Sequence, residues 1–117
     1  MADSISTTRF TAGWVAALNE RAALVTILDQ SIAVVVQQTV DDAAWFVSIA
    51  NGAMRVEWGR AVDPSATLAQ SRETAEAIVS GALNAQQAFL DGRVRLTGDV
   101  TALIAAKPYL AQLDSRP

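Results

Sequence analysis

The sequence predicts an α+β fold, and three observations predict it. Three apolar-alternating segments follow one another in the first half, each pair separated by two turn residues. The second half, Asp63 to Leu110, reads strand, helix, helix, strand, helix, and is punctuated by Gly81, Gly92 and Gly98. Ahead of the strands, Phe10, Trp14 and Leu18 recur at i, i+4, one stripe of an amphipathic helix.

Thr7 or Thr8 is positioned to cap that first helix. Its pattern blurs through Ala22 to Leu28, which fits either helix or buried coil. Strands are expected over Ile32–Val40, Ala43–Ala50 and Ala53–Trp58. Asp41-Asp42 separates the first pair and Asn51-Gly52 the second. Asn-Gly is a strong hairpin signal because a type I′ turn needs positive φ at both central positions.

Fixing the turn fixes the register. Ala50 then faces Ala53, Ile49 faces Met54, Val47 faces Val56 and Trp45 faces Trp58. A two-residue turn at Asp41-Asp42 pairs Val36 with Val47 and Val34 with Ile49. Both hairpins put Val34, Val36, Trp45, Val47, Ile49, Met54, Val56 and Trp58 on one face, which is the expected buried face. Val35, Gln37, Phe46, Ser48, Arg55 and Glu57 take the opposite face, expected to meet solvent. Gln38 is the polar exception on the buried side, placed near the open end of its strand.

Asp63-Pro64 opens a turn, and Ser65–Gln70 is a fourth strand. Ser71 is an N-cap for a helix over about Arg72–Leu83, with Ala75, Ile78, Val79 and Ala82 as its apolar side. Asn84 caps a short helix through Phe89 and Leu90 that Gly92 ends. Arg93–Gly98 is a fifth strand, with Val94 and Leu96 on one face. Asp99 or Thr101 caps a last helix with Leu103, Ile104, Leu110 and Leu113 inward. Pro108 lacks a donor N–H and is expected to kink or divide that helix.

Composition bounds the chemistry. The chain has 117 residues, enough for one domain with one core, so residues 1–117 are read as a single domain. Hydrophobic residues make up 51% and charged residues 18%, which is a folding composition. A net charge of −3 argues against nucleic acid and against electrostatic docking on anionic membranes. No cysteine or histidine is present, so thiol catalysis and a Ser-His-Asp arrangement are excluded. A metal would have to be held by carboxylates alone, and Asp41-Asp42 and Glu73/Glu76 read more simply as turn and helix-start residues. Lys107, the only lysine, reads as a solvated charge near a helix end. No cofactor and no metal are expected. MADSISTTRF lacks the basic-then-apolar pattern of a signal peptide, and the apolar runs are too short to span a membrane. A soluble, cytoplasmic protein without stable membrane insertion is the expectation, and the heavy use of alanine suggests a bacterial source.

The second half carries a resemblance. Asp63-x-x-Ala66-Thr67-Leu68 is followed by Ser80-Gly81-Ala82-Leu83-Asn84, then Ala85-Gln86, Ala88-Phe89 and Asp91-Gly92. Arg93-Val94-Arg95-Leu96-Thr97-Gly98-Asp99 then leads into the last helix. In spacing, order and glycine positions this resembles the sterol carrier protein 2 (SCP2) family. The likeness spans roughly residues 12 to 113, with its specific part from Asp63 to Asp99. The resemblance implies a five-stranded, mainly antiparallel sheet covered on one face by helices. It also implies an apolar cavity between sheet and helices that holds sterols, fatty acids or acyl thioesters, and no catalytic residues. Family members ending in Ser-Lys-Leu are peroxisomal, whereas this chain ends Ser115-Arg116-Pro117.

The functional expectation is non-covalent carriage of a hydrophobic small molecule (sterol, fatty acid, acyl thioester or isoprenoid lipid) rather than catalysis. Candidate pocket residues are Trp14, Trp45, Met54, Trp58, Ile78, Phe89, Leu103, Ile104 and Leu110. Each is equally well read as ordinary core. Gln38 and Arg55 are candidates for polar groups at the mouth. Phe46 on the outer face reads as an exposed aromatic or as a homodimer contact. Two alternatives stand beside carriage. One is an accessory or dimerising subunit for a lipid- or quinone-modifying partner enzyme. The other is an enzyme that encloses an apolar substrate.

Overall fold

A computed structural model describes residues 10–114. The proposed caps Thr7 and Thr8, and the terminal Ser115-Arg116-Pro117, lie outside the described residues. The elements in order are helix α1 (Ala12–Ala22), strands β1 (Val34–Val40), β2 (Ala43–Ala50), β3 (Ala53–Trp58) and β4 (Ala66–Gln70), helices α2 (Arg72–Ser80) and α3 (Ala85–Leu90), strand β5 (Val94–Gly98) and helix α4 (Val100–Asp114).

The strands form one sheet in the order β3-β2-β1-β4-β5. Only β1–β4 is parallel; the other three pairings are antiparallel. The registers of the two hairpins, β1–β2 and β2–β3, follow from turn chemistry. Asn51 (φ 55°) and Gly52 (φ 76°) both take the left-handed conformation that a type I′ turn demands. Trp45 therefore faces Trp58, Val47 faces Val56 and Ile49 faces Met54. In the Asp41-Asp42 turn only Asp41 has positive φ (52°), and Val36 faces Val47 as its two-residue length requires.

Side chains alternate across the sheet. Val36, Trp45, Val47, Ile49, Met54 and Val56 are buried beneath the helices. Trp58 was expected among them but is 46% exposed, since it ends the edge strand β3. The far face is less solvated than its polarity suggested. Gln37 on that face is only 3% exposed, because the β3–β4 connection runs over it. Its Nε2 donates to the carbonyls of Trp45 (2.9 Å) and Gly59 (3.1 Å), and its Oε1 accepts from the Ala61 amide (2.7 Å). One side chain so fixes a connection that no regular ladder holds. Phe46 is half-buried and Arg55 is exposed on this same far face.

The helices begin where side-chain oxygens replace missing backbone acceptors. Thr11 caps α1, Ser71 caps α2 and Asn84 caps α3. At α4 the Asp99 carboxylate accepts from the Thr101 amide at 2.8 Å. α1 starts later than Thr7 or Thr8 would allow, and it ends at Ala22, leaving the following segment as irregular coil with Ile27 buried and Leu24 and Leu28 exposed. α2 stops at Ser80 rather than Leu83, because Gly81 (φ 86°) turns left-handed there. Its buried residues are Thr74 and Ala75, while Val79 and Ala82 are exposed. α3 closes in a Schellman arrangement, with the Gly92 amide on Phe89 O and the Arg93 amide on Ala88 O.

Pro108 does not divide α4, which runs unbroken from Val100 to Asp114. The carbonyl that loses its donor belongs to Ile104, and both Ile104 and Pro108 are exposed, so water can serve it. Ile104 is accordingly not inward: it is 63% exposed, whereas Ala102, Ala106 and Leu113 are buried and Leu103 and Leu110 pack on the core. α1 is fastened twice. Asn19 Oδ1 accepts from the outward-pointing amide of Val56 on β3 (2.8 Å), and Arg21 Nη1 donates to Leu113 O at the end of α4 (2.7 Å).

Candidate functional site

The helix-covered side of the sheet is not filled completely. A cavity of about 100 Å³ lies between β1, β2 and β4 on one side and α1, α2 and α4 on the other. The sheet floor is Val40, Trp45 and Val47, with Gln38 and Gln70 beside them. Trp14 and Leu18 enter from α1, and Ala75, Ile78 and Val79 from α2. Leu110 and Leu113 close it from α4, and Phe10 from the segment ahead of α1. Val79, 45% exposed, marks where the cavity reaches the surface.

Aromatic packing builds one wall. Phe10 is 3% exposed and sits against two tryptophans. Its ring meets Trp14 edge-on (centroids 5.1 Å, 65°) and lies nearly parallel to Trp45 (5.8 Å, 14°). Trp14 in turn meets Trp45 edge-on at 5.1 Å. The Arg72 guanidinium covers Phe10 at 5.3 Å, a cation–π contact. Phe10 has φ of 61°, unusual for a bulky residue, so the surrounding packing holds a strained backbone in place.

Of the nine residues chosen from sequence, the structure brings four together around the cavity: Trp14, Trp45, Ile78 and Leu110. Met54 is buried under α1 outside the lining, and Leu103 packs on the core. Trp58, Phe89 and Ile104 are 46%, 47% and 63% exposed and do not line the cavity. Arg55, a candidate for the mouth, lies on the far face of the sheet. Gln38 does line the cavity, but two residues from the Asp41-Asp42 hairpin rather than at the open end of its strand. Phe10 and Gln70 were missed as site residues. Phe10 lies ahead of the helix whose stripe it seemed to begin, and Gln70 ends a strand whose parallel pairing with β1 no local pattern encodes.

The lining contains no charged side chain. No group of three or more acidic residues could hold a metal ion among the described residues. The arrangement provides an apolar enclosure with a polar corner, which suits contact with a hydrophobic molecule.

Fold and cavity together define an α+β domain that covers one face of a five-stranded sheet with helices and leaves an apolar space between the layers. The sequence model of the SCP-2 sterol transfer family matches residues 15–110, so the chain belongs to that family. Solved structures agree in fold. Sterol carrier protein 2 like 2 from Aedes aegypti is 22% identical with a TM-score of 0.63, covering 93% of this chain and 98% of that one. Sterol carrier protein 2 from the same organism, in complex with the C16 fatty acid palmitate, is 18% identical with a TM-score of 0.61, covering 84% and 91%. The inverting sec-alkylsulfatase Pisa1 from Pseudomonas sp. is 20% identical with a TM-score of 0.57, covering 82% of this chain and only 16% of the enzyme. The chain thus spans about one sixth of the alkylsulfatase it matches. No curated protein sequence matches it. At these identities the structural likeness speaks to fold alone.

Proposed function

We propose that this chain is a single lipid-binding domain that carries a hydrophobic small molecule non-covalently between its sheet and helices. The observation that carries this is the cavity itself, an uncharged aromatic and aliphatic enclosure between the two layers. Each methylene transferred there from water contributes about 0.8 kcal/mol, so an alkyl chain or ring system supplies its own driving force. The palmitate complex of the mosquito relative supports the ligand class.

The cavity, at about 100 Å³, is smaller than the roughly 300–1,000 Å³ of pockets that enclose drug-sized ligands. Carriage therefore requires the layers to part. α2 is the element to move: it contributes Ile78 and exposed Val79 to the mouth, and only its Thr74 and Ala75 are buried. Trp14 and Trp45 line the space and supply a built-in signal. Titration with palmitate and with cholesterol should shift tryptophan emission saturably at stoichiometric amounts. Native mass spectrometry of gently purified protein should show an apolar adduct identifiable after extraction. A bare protein whose fluorescence ignores both probes would refute carriage.

A second reading has its own support. A similar fold makes up a minor part of the alkylsulfatase, so this chain would act as an accessory subunit or dimerising module beside a lipid-modifying enzyme. Co-purification with a partner and failure to take up lipid would favour that reading.

A further inference from the structure

Two adjacent glutamines of β1 are used differently. Gln37, on the far face, has its amide engaged on both oxygen and nitrogen. Gln38, on the cavity face, makes no side-chain hydrogen bond among the described residues, and neither does Gln70. Both are half-buried and both line the cavity. The parallel register sets Gln38 opposite Leu68 and Val40 opposite Gln70, so the two amides are diagonal neighbours on one face at one end of the sheet. Every other lining residue is apolar.

We propose that Gln38 and Gln70 form the head-group subsite of this cavity and select a neutral oxygen head, a hydroxyl or a carbonyl, over a carboxylate. The inference rests on the carriage reading above. Each amide offers two N–H donors and one carbonyl acceptor. A hydroxyl can donate to one amide oxygen and accept from the other amide nitrogen, and a ketone or ester oxygen can accept from both. A carboxylate can use only the donors, and its charge would leave water for a wall without a cation.

The charges around this corner do not change the argument. Arg72 stands near the lining, but its guanidinium lies over Phe10 and 3.7 Å from the Glu76 carboxylate. Its backbone amide donates to Asp41 Oδ2 at 3.1 Å. Asp41 and Asp42 form the turn next to Val40, and Glu73 and Glu76 stand on α2. The lining itself holds no cation, and Arg72 already faces Phe10 and Glu76, so nothing in the wall compensates an anionic head.

The test compares matched tails: 1-decanol, 2-undecanone and decanoate, titrated into the full chain at pH 7.5 and followed by tryptophan fluorescence and calorimetry. The alcohol and the ketone are expected to bind about tenfold or more tighter than decanoate, the worth of one or two well-made hydrogen bonds against an uncompensated charge. In the double variant Gln38→Leu/Gln70→Leu that advantage of neutral heads should shrink severalfold, while circular dichroism and melting report an intact fold. Decanoate binding as tightly as decanol in the native chain would overturn the head-group assignment and leave carriage standing, and so would an unchanged preference in the double variant. Failure of all three probes to bind would overturn carriage and the subsite with it. The native comparison needs no variant, so misfolding of the double variant could not protect the proposal.

Discussion

Removing the ring of Phe10 tests whether the aromatic wall is a packed, strained element or a loose flap. At 3% exposure, with Trp14 at 5.1 Å and Trp45 at 5.8 Å, Phe10 behaves as core although it lies outside any helix or strand. Phe10→Ala should therefore destabilise the fold by about 3–5 kcal/mol, the range for truncating a buried phenylalanine. Phe10→Gly loses the same ring but relieves the positive φ of 61°, which costs a non-glycine residue roughly 1–2 kcal/mol. Glycine returns part of that through its freer unfolded chain, so the glycine variant should be the more stable of the two by up to ~1 kcal/mol. Urea unfolding monitored by tryptophan fluorescence at constant m-value measures both differences. The same substitutions enlarge a 100 Å³ cavity past the ~150 Å³ that admits benzene elsewhere, so both variants should take up benzene or indole more tightly than the native chain does. A loss below about 1 kcal/mol for alanine, or a glycine variant less stable than the alanine one, would refute the packing and the strain arguments respectively.

Gln37→Leu leaves the Trp45 and Gly59 carbonyls and the Ala61 amide without their partner, and should cost about 2–3 kcal/mol, with accelerated hydrogen exchange at Ala61 as the local readout. Gly98→Ala should be more severe than a helix-surface glycine change, because the new Cβ would stand 2.6 Å from Ser65 O and 2.9 Å from Ala66 Cα at a φ of 96°; a fall in melting temperature well beyond that of Gly13→Ala, where nothing lies within 4 Å, checks it. Asp29 is held below the ordinary carboxylate range by the hydroxyl of Ser31 and then by its backbone amide. A depressed folded-state pKa adds stability above the unfolded value that is lost as pH falls through the folded one, so Ser31→Ala should raise the Asp29 titration midpoint seen by NMR and narrow the pH gap between folded and unfolded forms.

Local chemistry made the meander legible. Asn51-Gly52 and Asp41-Asp42 fixed two registers before any tertiary contact was considered, and β2 could pair in no other frame with both neighbours. Caps at Ser71, Asn84 and Asp99 were equally local. What sequence pattern did not carry was tertiary coverage. Nothing near Gln37 says that residues 59–61 will cross above it, and nothing in the period of α4 separates Leu103 from Ile104 except which neighbour lies beneath. The site shows the same division. Trp14, Trp45, Ile78 and Leu110 were identifiable because each lies on the apolar side of its own element. Gln70 became a site residue only through the parallel β1–β4 crossover, and Phe10 through a backbone conformation that helix periodicity does not register.

The bond from Asn19 to the Val56 amide reaches beyond local geometry. Val56 sits on a border strand, and a border strand with free amides is a template for another chain. α1 covers that template while also walling the cavity, and Arg21 ties the same helix to the last turn of α4. If cargo were admitted by swinging α1 aside, each loading event would unveil the border and invite polymerisation. If loading instead parts the layers at α2, as proposed above, α1 stays latched over β3, and uptake of cargo is kept separate from pairing at that border.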